Sequence, residues 1–331
     1  MRELIYYPSF EIYDENWLKF SLLYFNTIKP IIPYSNEKGL SDTYHLIKES
    51  TKFYEPLHPD YSMDTVNASQ DAVEIVNKIL QNPYDYDNIF KCVNIVREWQ
   101  NPENFSFQIY SGKYSHEWEK LIEEYKIGII ADNFMMIDPR LGQLYMTIFA
   151  HVVSDVYGIP LITDKSDIHN FSMLTRSRNQ IGAMKKEVEK IKFTEKIIDI
   201  QLPIGLDKIP LQQIIQLRND KEFTTNLMAY HMVISEMQEY DRTQNASELV
   251  EKYKYTFNKF GDGLISAGFK IAKWAVKYFN PENVVKDAED LFEASSAGHE
   301  TYTILSNSWT KSKVKRHTQK YLFNITELAS T

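Results

Sequence analysis

The sequence predicts an α/β domain followed by a mainly helical one, and three observations carry that reading. Residues 3–33 open as strand, helix, strand. Residues 138–164 hold a strongly patterned amphipathic helix that leads into a short apolar strand. Beyond Phe171 the texture changes to Arg176, Arg178 and a charged helical run from Met184 to Lys192. Strands separated by helices imply a largely parallel sheet. The junction is expected near residue 175, giving an α/β domain over 1–175 and a helical domain over 176–331.

Leu4 to Tyr7 is β-rich and stopped by Pro8, Asp14 can cap a helix from Glu15 to Phe25, and Thr27 to Ile32 forms a second strand ended by Pro33. Trp17, Leu18, Leu22 and Phe25 recur at helical spacing, which assigns Trp17 to packing. Loops around a short helix fill Tyr34 to Met63. Helices are expected over Ala68 to Leu80 and over Tyr84 to Trp99, the second burying Ile89, Cys92, Val93 and Val96 along one stripe. A helix over Ser115 to Tyr125 and a short buried strand over Lys126 to Ile130 follow.

Asp138 and Pro139 then supply a cap and a first helical residue. Leu141, Leu144, Tyr145, Ile148, Phe149, Val152, Val153 and Val156 give the apolar stripe, Gly158 and Pro160 end it, and Leu161 to Thr163 forms a buried strand. That strand delivers Thr163, Asp164 and Asp167 to its carboxyl end, the edge at which open α/β sheets bind ligands. Later, Ile197 to Leu202 reads as a strand and Leu211 to about Tyr240 as one long helix.

Composition narrows the function classes. At 331 residues with 43% hydrophobic and 25% charged content, the chain can bury a full core, which excludes global disorder. Its formal charge of −8 excludes a dedicated nucleic-acid binder, so any basic contact is local. The lone Cys92 excludes an intramolecular disulfide and a multi-cysteine zinc site, and the opening residues carry no signal peptide, so a reducing cytoplasm is the expected compartment. No apolar run is long enough to span a membrane.

Four aspartates, Asp132, Asp138, Asp164 and Asp167, flank predicted strand ends and a helix start. Clustered carboxylates there would suit Mg²⁺ or Mn²⁺ and an activated water for phosphodiester cleavage, with Asp164, Asp167 and the nearby His169 as catalytic candidates. Capping accounts equally for Asp138, and turn or loop chemistry for the others. The eight histidines form no metal-binding pair at fixed spacing, and no phosphate-binding glycine loop occurs. An apolar face from Leu264 to Phe279 with Lys270, Lys273 and Lys277 elsewhere reads as a core helix, or as a membrane-surface or partner-binding one. The tail Lys311, Lys313, Lys315, Arg316 is locally basic and could touch nucleic acid, with Trp309 and Tyr321 as stacking groups.

Leu144 to Asp164 resembles the helix-then-strand portion of PIN-like nuclease domains. That resemblance implies a metal-dependent nuclease with an acid on the first strand and another within the helix. Here Tyr6 and Tyr7 stand on the strand, and Gln143 to Thr147 contain no acid. The resemblance therefore implies a metal centre rebuilt from other carboxylates, or lost. A broader likeness covers Tyr6-Tyr7-Pro8, Asp14-Glu15-Asn16-Trp17-Leu18-Lys19, Leu22-Leu23-Tyr24, Ile31-Ile32-Pro33, Tyr145-Met146, Thr163-Asp164 and Ile214-Ile215-Gln216-Leu217-Arg218. These motifs are similar to an uncharacterised bacterial family whose members look like components of mobile and anti-phage gene islands. The expectation is a cytoplasmic interaction or effector protein acting through a protein partner or its own copy; the alternative is a Mg- or Mn-dependent nuclease.

Overall fold

The computed structural model describes residues 3–58, 62–164, 171, 174–175, 205–241 and 311–328. The opening forms as the sequence predicts: β1 (Glu3–Tyr6), α1 (Glu15–Tyr24) and β2 (Thr27–Pro30). Asp14 caps α1 by accepting the Trp17 amide at 2.8 Å. Two helices follow, α2 (Tyr34–Glu37) and α3 (Asp42–Ser50), the latter capped by Ser41. Residues 53–57 then run beside β2, with the Ile28 amide bonded to the Phe53 carbonyl at 2.7 Å and the Leu57 amide to the Pro30 carbonyl at 2.9 Å.

Next come α4 (Met63–Gln81), α5 (Asp87–Phe90) and α6 (Ile95–Trp99). The single helix expected over Tyr84 to Trp99 is thus broken. Lys91 and Asn94 both take left-handed backbone, which no α-helix tolerates, and the turn between them leaves Val93 77% exposed instead of in the core. After β3 (Phe107–Tyr110), α7 (His116–Tyr125) leads into β4 (Gly128–Ile130) and β5 (Phe134–Ile137). These strands pair antiparallel in the order β3-β5-β4. The expected buried strand at 126–130 is therefore the edge of a second sheet, with Ile129 exposed.

Helix α8 (Pro139–Tyr157) matches its expected bounds, although Val156 faces solvent. Gly158 ends it in the left-handed conformation, and β6 (Leu161–Ile162) returns to pair with β1. The first sheet is parallel throughout, in the order 53–57, β2, β1, β6. In chain order that reads 3-2-1-4, so the direction of winding reverses at β1.

Strand alternation divides the core across this sheet. Ile5 and Tyr7 pack with α4, α7 and α8 on one face. Leu4 and Tyr6 pack on the other with α1, α3 and three later helices, α9 (Leu211–Asn219), α10 (Lys221–Asp241) and α11 (Lys311–Glu327). The long helix expected from Leu211 is split at Asp220, whose extended backbone ends α9 and whose carboxylate accepts the Glu222 amide at 2.8 Å.

Arg218 secures this junction. Its buried guanidinium donates to the Leu22 carbonyl at 3.3 Å and to the Asn26 carbonyl, at the carbonyl end of α1. Loss of hydration lowers its pKa to about 10. The expectations at 197–202 and 264–279 lie outside the described residues.

Candidate functional site

The switch in winding puts the carboxyl ends of β1 and β6 side by side, where an open α/β sheet offers its ligand crevice. Tyr6 ends β1, and its hydroxyl donates to Asp164 Oδ1 at 3.0 Å just past β6. Burial pushes the Tyr6 phenol far above its usual pKa, and the Asp164 charge adds to the effect. The Tyr6 ring lies 5.7 Å from that of Trp17. A tyrosine therefore occupies the strand end at which the nuclease resemblance would want an acid.

Further ionisable groups extend along the same edge. Glu11 accepts the Ser41 amide at 3.2 Å and the Ser41 hydroxyl. Glu37 accepts from Tyr44 at 3.2 Å, pairs with Lys48, and lies 3.5 Å from His58 Nε2. Burial first, then the Glu37 charge, raises the Tyr44 phenol, and burial does the same to Tyr54. The Lys48 hydrogen bond and charge, outweighing desolvation, hold Glu37 below its ordinary pKa. Tyr34 stacks on His58 at 3.9 Å. These carboxylates thus sit among phenols, hydroxyls and cations of the same chain.

The four aspartates singled out in the sequence have different surroundings. Asp132 is exposed in the turn between β4 and β5. Asp138 is buried and caps α8, its Oδ1 accepting the Arg140 amide at 2.8 Å while Arg140 Nη2 bonds Oδ2 at 3.2 Å and reaches Glu98 at 3.3 Å. Asp164 stands at the crevice with Tyr6. Asp167 and His169 lie outside the described residues.

Helix α8 carries the chain about 28 Å from Asp138 at 1.5 Å per residue. The return along β6 recovers only roughly 10 Å of that distance at about 3.3 Å per residue. Asp138 and Asp164 are thus well beyond the reach of a shared ion. Among the described residues, no group of three His, Cys, Asp or Glu side chains could hold a metal.

Cys92 is half-buried against the α4–α8 core, and desolvation raises its thiol pKa, opposite to the shift a nucleophile needs. Its packing role agrees with the sequence expectation. No described helix is long and apolar enough to cross a membrane.

The basic tail is helical. Lys313, Arg316 and Lys320 of α11 are exposed, while His317, Thr318, Tyr321, Leu322 and Ile325 are buried. Tyr321 is therefore core and not the stacking group expected of it: its ring lies 4.6 Å from Tyr230, and its hydroxyl donates to the Leu23 carbonyl at 2.9 Å. The exposed aromatic ring on this helix is Phe323. Trp309 lies outside the described residues.

Sequence spacing gave no sign of Glu11 or Glu37, because each owes its partners to loop geometry. Phe323 was legible in principle, since it continues the 313, 316, 320 spacing. No protein-family model matches this chain, and no curated protein or solved structure matches it either.

Proposed function

We propose that this chain is a bacterial interaction or effector protein of anti-phage type, acting in the cytoplasm through a partner or a second copy. What supports it over metal-dependent cleavage is the state of its acidic groups. Asp138 is consumed by capping and by Arg140, Asp132 stands exposed in a turn, and Asp164 faces a phenol at the winding switch. A cleaving centre needs several carboxylates on one ion within a few ångströms.

The position of Asp164 at the crevice favours the nuclease as the second reading. The two separate in one set of measurements. The interaction reading expects a mass that rises with concentration, or a partner that co-purifies in stoichiometric amount. A strictly monomeric chain without any partner would sink it. Cleavage of RNA or DNA that needs Mg²⁺ or Mn²⁺ and disappears in Asp164→Asn would establish the nuclease instead.

A further inference from the structure

Helix α11 has two unlike faces. One is packed: Tyr321 and Leu322 meet Phe223 and Tyr230 of α10, and His317 Nδ1 donates to Asn226 Oδ1 at 2.7 Å. The other carries Lys313, Arg316, Lys320 and Phe323, all exposed and separated by steps of three, four and three residues. That spacing aligns them on one stripe, about 15 Å long at 1.5 Å per residue. On a chain of net charge −8, this is a local cationic surface that leads to a half-exposed phenyl ring, 50% accessible, with the exposed Glu327 one turn beyond it.

The buried His317 lies in the field of the same cations. Desolvation lowers its pKa, and the charges of Arg316, Lys320 and Lys313 push it down further. From α10 it is faced by Asn226 and by Glu222, whose charge acts in the opposite sense without reversing the shift. Glu222 also pairs with Lys320, an exposed contact that a stronger polyanion can displace.

We propose that the Lys313, Arg316, Lys320 and Phe323 stripe is a docking surface for single-stranded nucleic acid. Cations in a row meet a phosphate backbone, and an exposed ring at the end of the row offers a platform on which an unpaired base stacks. A duplex hides its base faces and would use the charges alone. Binding is independent of sequence, because nothing on the stripe reads a base edge in a groove. The inference goes beyond the interaction reading and stands independently of it.

The test uses the full chain and a fluorescent oligothymidylate in an anisotropy titration over a range of salt. Three cations predict a slope of log affinity against log salt of about −2, at roughly −0.7 per charge. Lys313→Gln with Arg316→Gln should cut that slope by about two thirds, and Phe323→Ala should weaken binding about fivefold or more. Lys78→Gln, on the exposed side of α4, should change nothing.

Because the replaced groups are exposed, the variants should keep the parent melting temperature. The bound oligonucleotide should also raise the NMR titration midpoint of His317 by neutralising its cationic neighbours, and the double variant should lose that response. No saturable binding at low salt overturns the proposal, as does binding indifferent to the double variant or a duplex that binds as tightly. An oligonucleotide-binding chain that never self-associates and captures no protein would sink the protein-partner reading while leaving this surface standing.

Discussion

The carboxyl edge of the parallel sheet and the outer face of α11 are both rich in ionisable groups, and they use them oppositely. At the edge, Asp164, Glu11 and Glu37 are met by Tyr6, Ser41, Tyr44 and Lys48 of the same chain. On α11, Lys313 and Arg316 point to solvent while the opposite side of the helix holds the fold. Charges drawn away from water need internal partners, since losing hydration costs several kcal/mol each, whereas an exposed cation keeps its hydration. The edge therefore reads as structure and the helix face as contact surface.

The comparison breaks most sharply at the packed side of α11. Tyr321→Ala empties a ring site between Phe223 and Tyr230 and removes a buried hydrogen bond, so we expect a loss of about 3 kcal/mol or more in denaturant unfolding. Hydrogen exchange should show α11 loosening first. Arg218→Met leaves the Leu22 and Asn26 carbonyls without their donor at the end of α1, an expected cost of about 1–3 kcal/mol. A variant as stable as the parent would mean the guanidinium contributes nothing beyond its own desolvation.

Tyr6→Phe tests the edge itself. Removing the hydroxyl deprives Asp164 of one donor, and we expect about 1 kcal/mol of lost stability with the fold unchanged by circular dichroism. If the same change instead created Mn²⁺ binding, measured by calorimetry, the edge would be a masked metal centre and the distinction drawn above would fail.

Acid should act next, through His317. Its folded pKa lies below the unfolded value of about 6.5, so the unfolded state binds more protons. Stability therefore falls as pH drops through about 6.5 and is restored above it. Exchange of amides 311–328 should quicken between neutral and mildly acidic pH, and His317→Gln should flatten the response. Lys320→Gln should leave the unfolding midpoint where it was, because its pair with Glu222 is exposed and screened. A measurable drop would show that the outer face supports the fold after all.

How much was legible depended on whether a segment carried its own stop signals. Helix α8 was readable end to end because Asp138, Pro139, Gly158 and Pro160 act locally on the backbone. The stretch from Tyr84 to Trp99 was misread as one helix, since its apolar spacing suits one and the left-handed residues are Lys91 and Asn94, with no glycine to announce a break. Strands β3 and β5 went unread because each has four residues and takes its hydrogen bonds from neighbouring strands. Gly142 shows the same dependence on distant partners. A Cβ there would stand 2.2 Å from the Phe107 ring, so β3 can lie on α8 only across a glycine.

The acidic set divides along the same line. That Asp138 begins a helix follows from Asp-Pro and the apolar repeat alone. That it also holds Arg140 and, through it, Glu98 required α6 and α8 to meet. The sequence by itself determined the α/β opening, the cap and stop of α8, the placing of Asp164 at a strand end and the local basic charge of the C-terminal tail, all of them properties of neighbouring residues. Only the tertiary structure decided the 3-2-1-4 strand order, the pairing of Tyr6 with Asp164 across 158 residues, and which side of α11 is buried. Long-range pairing rewards the chain only once its ends have been brought together, and no local pattern records where that will happen.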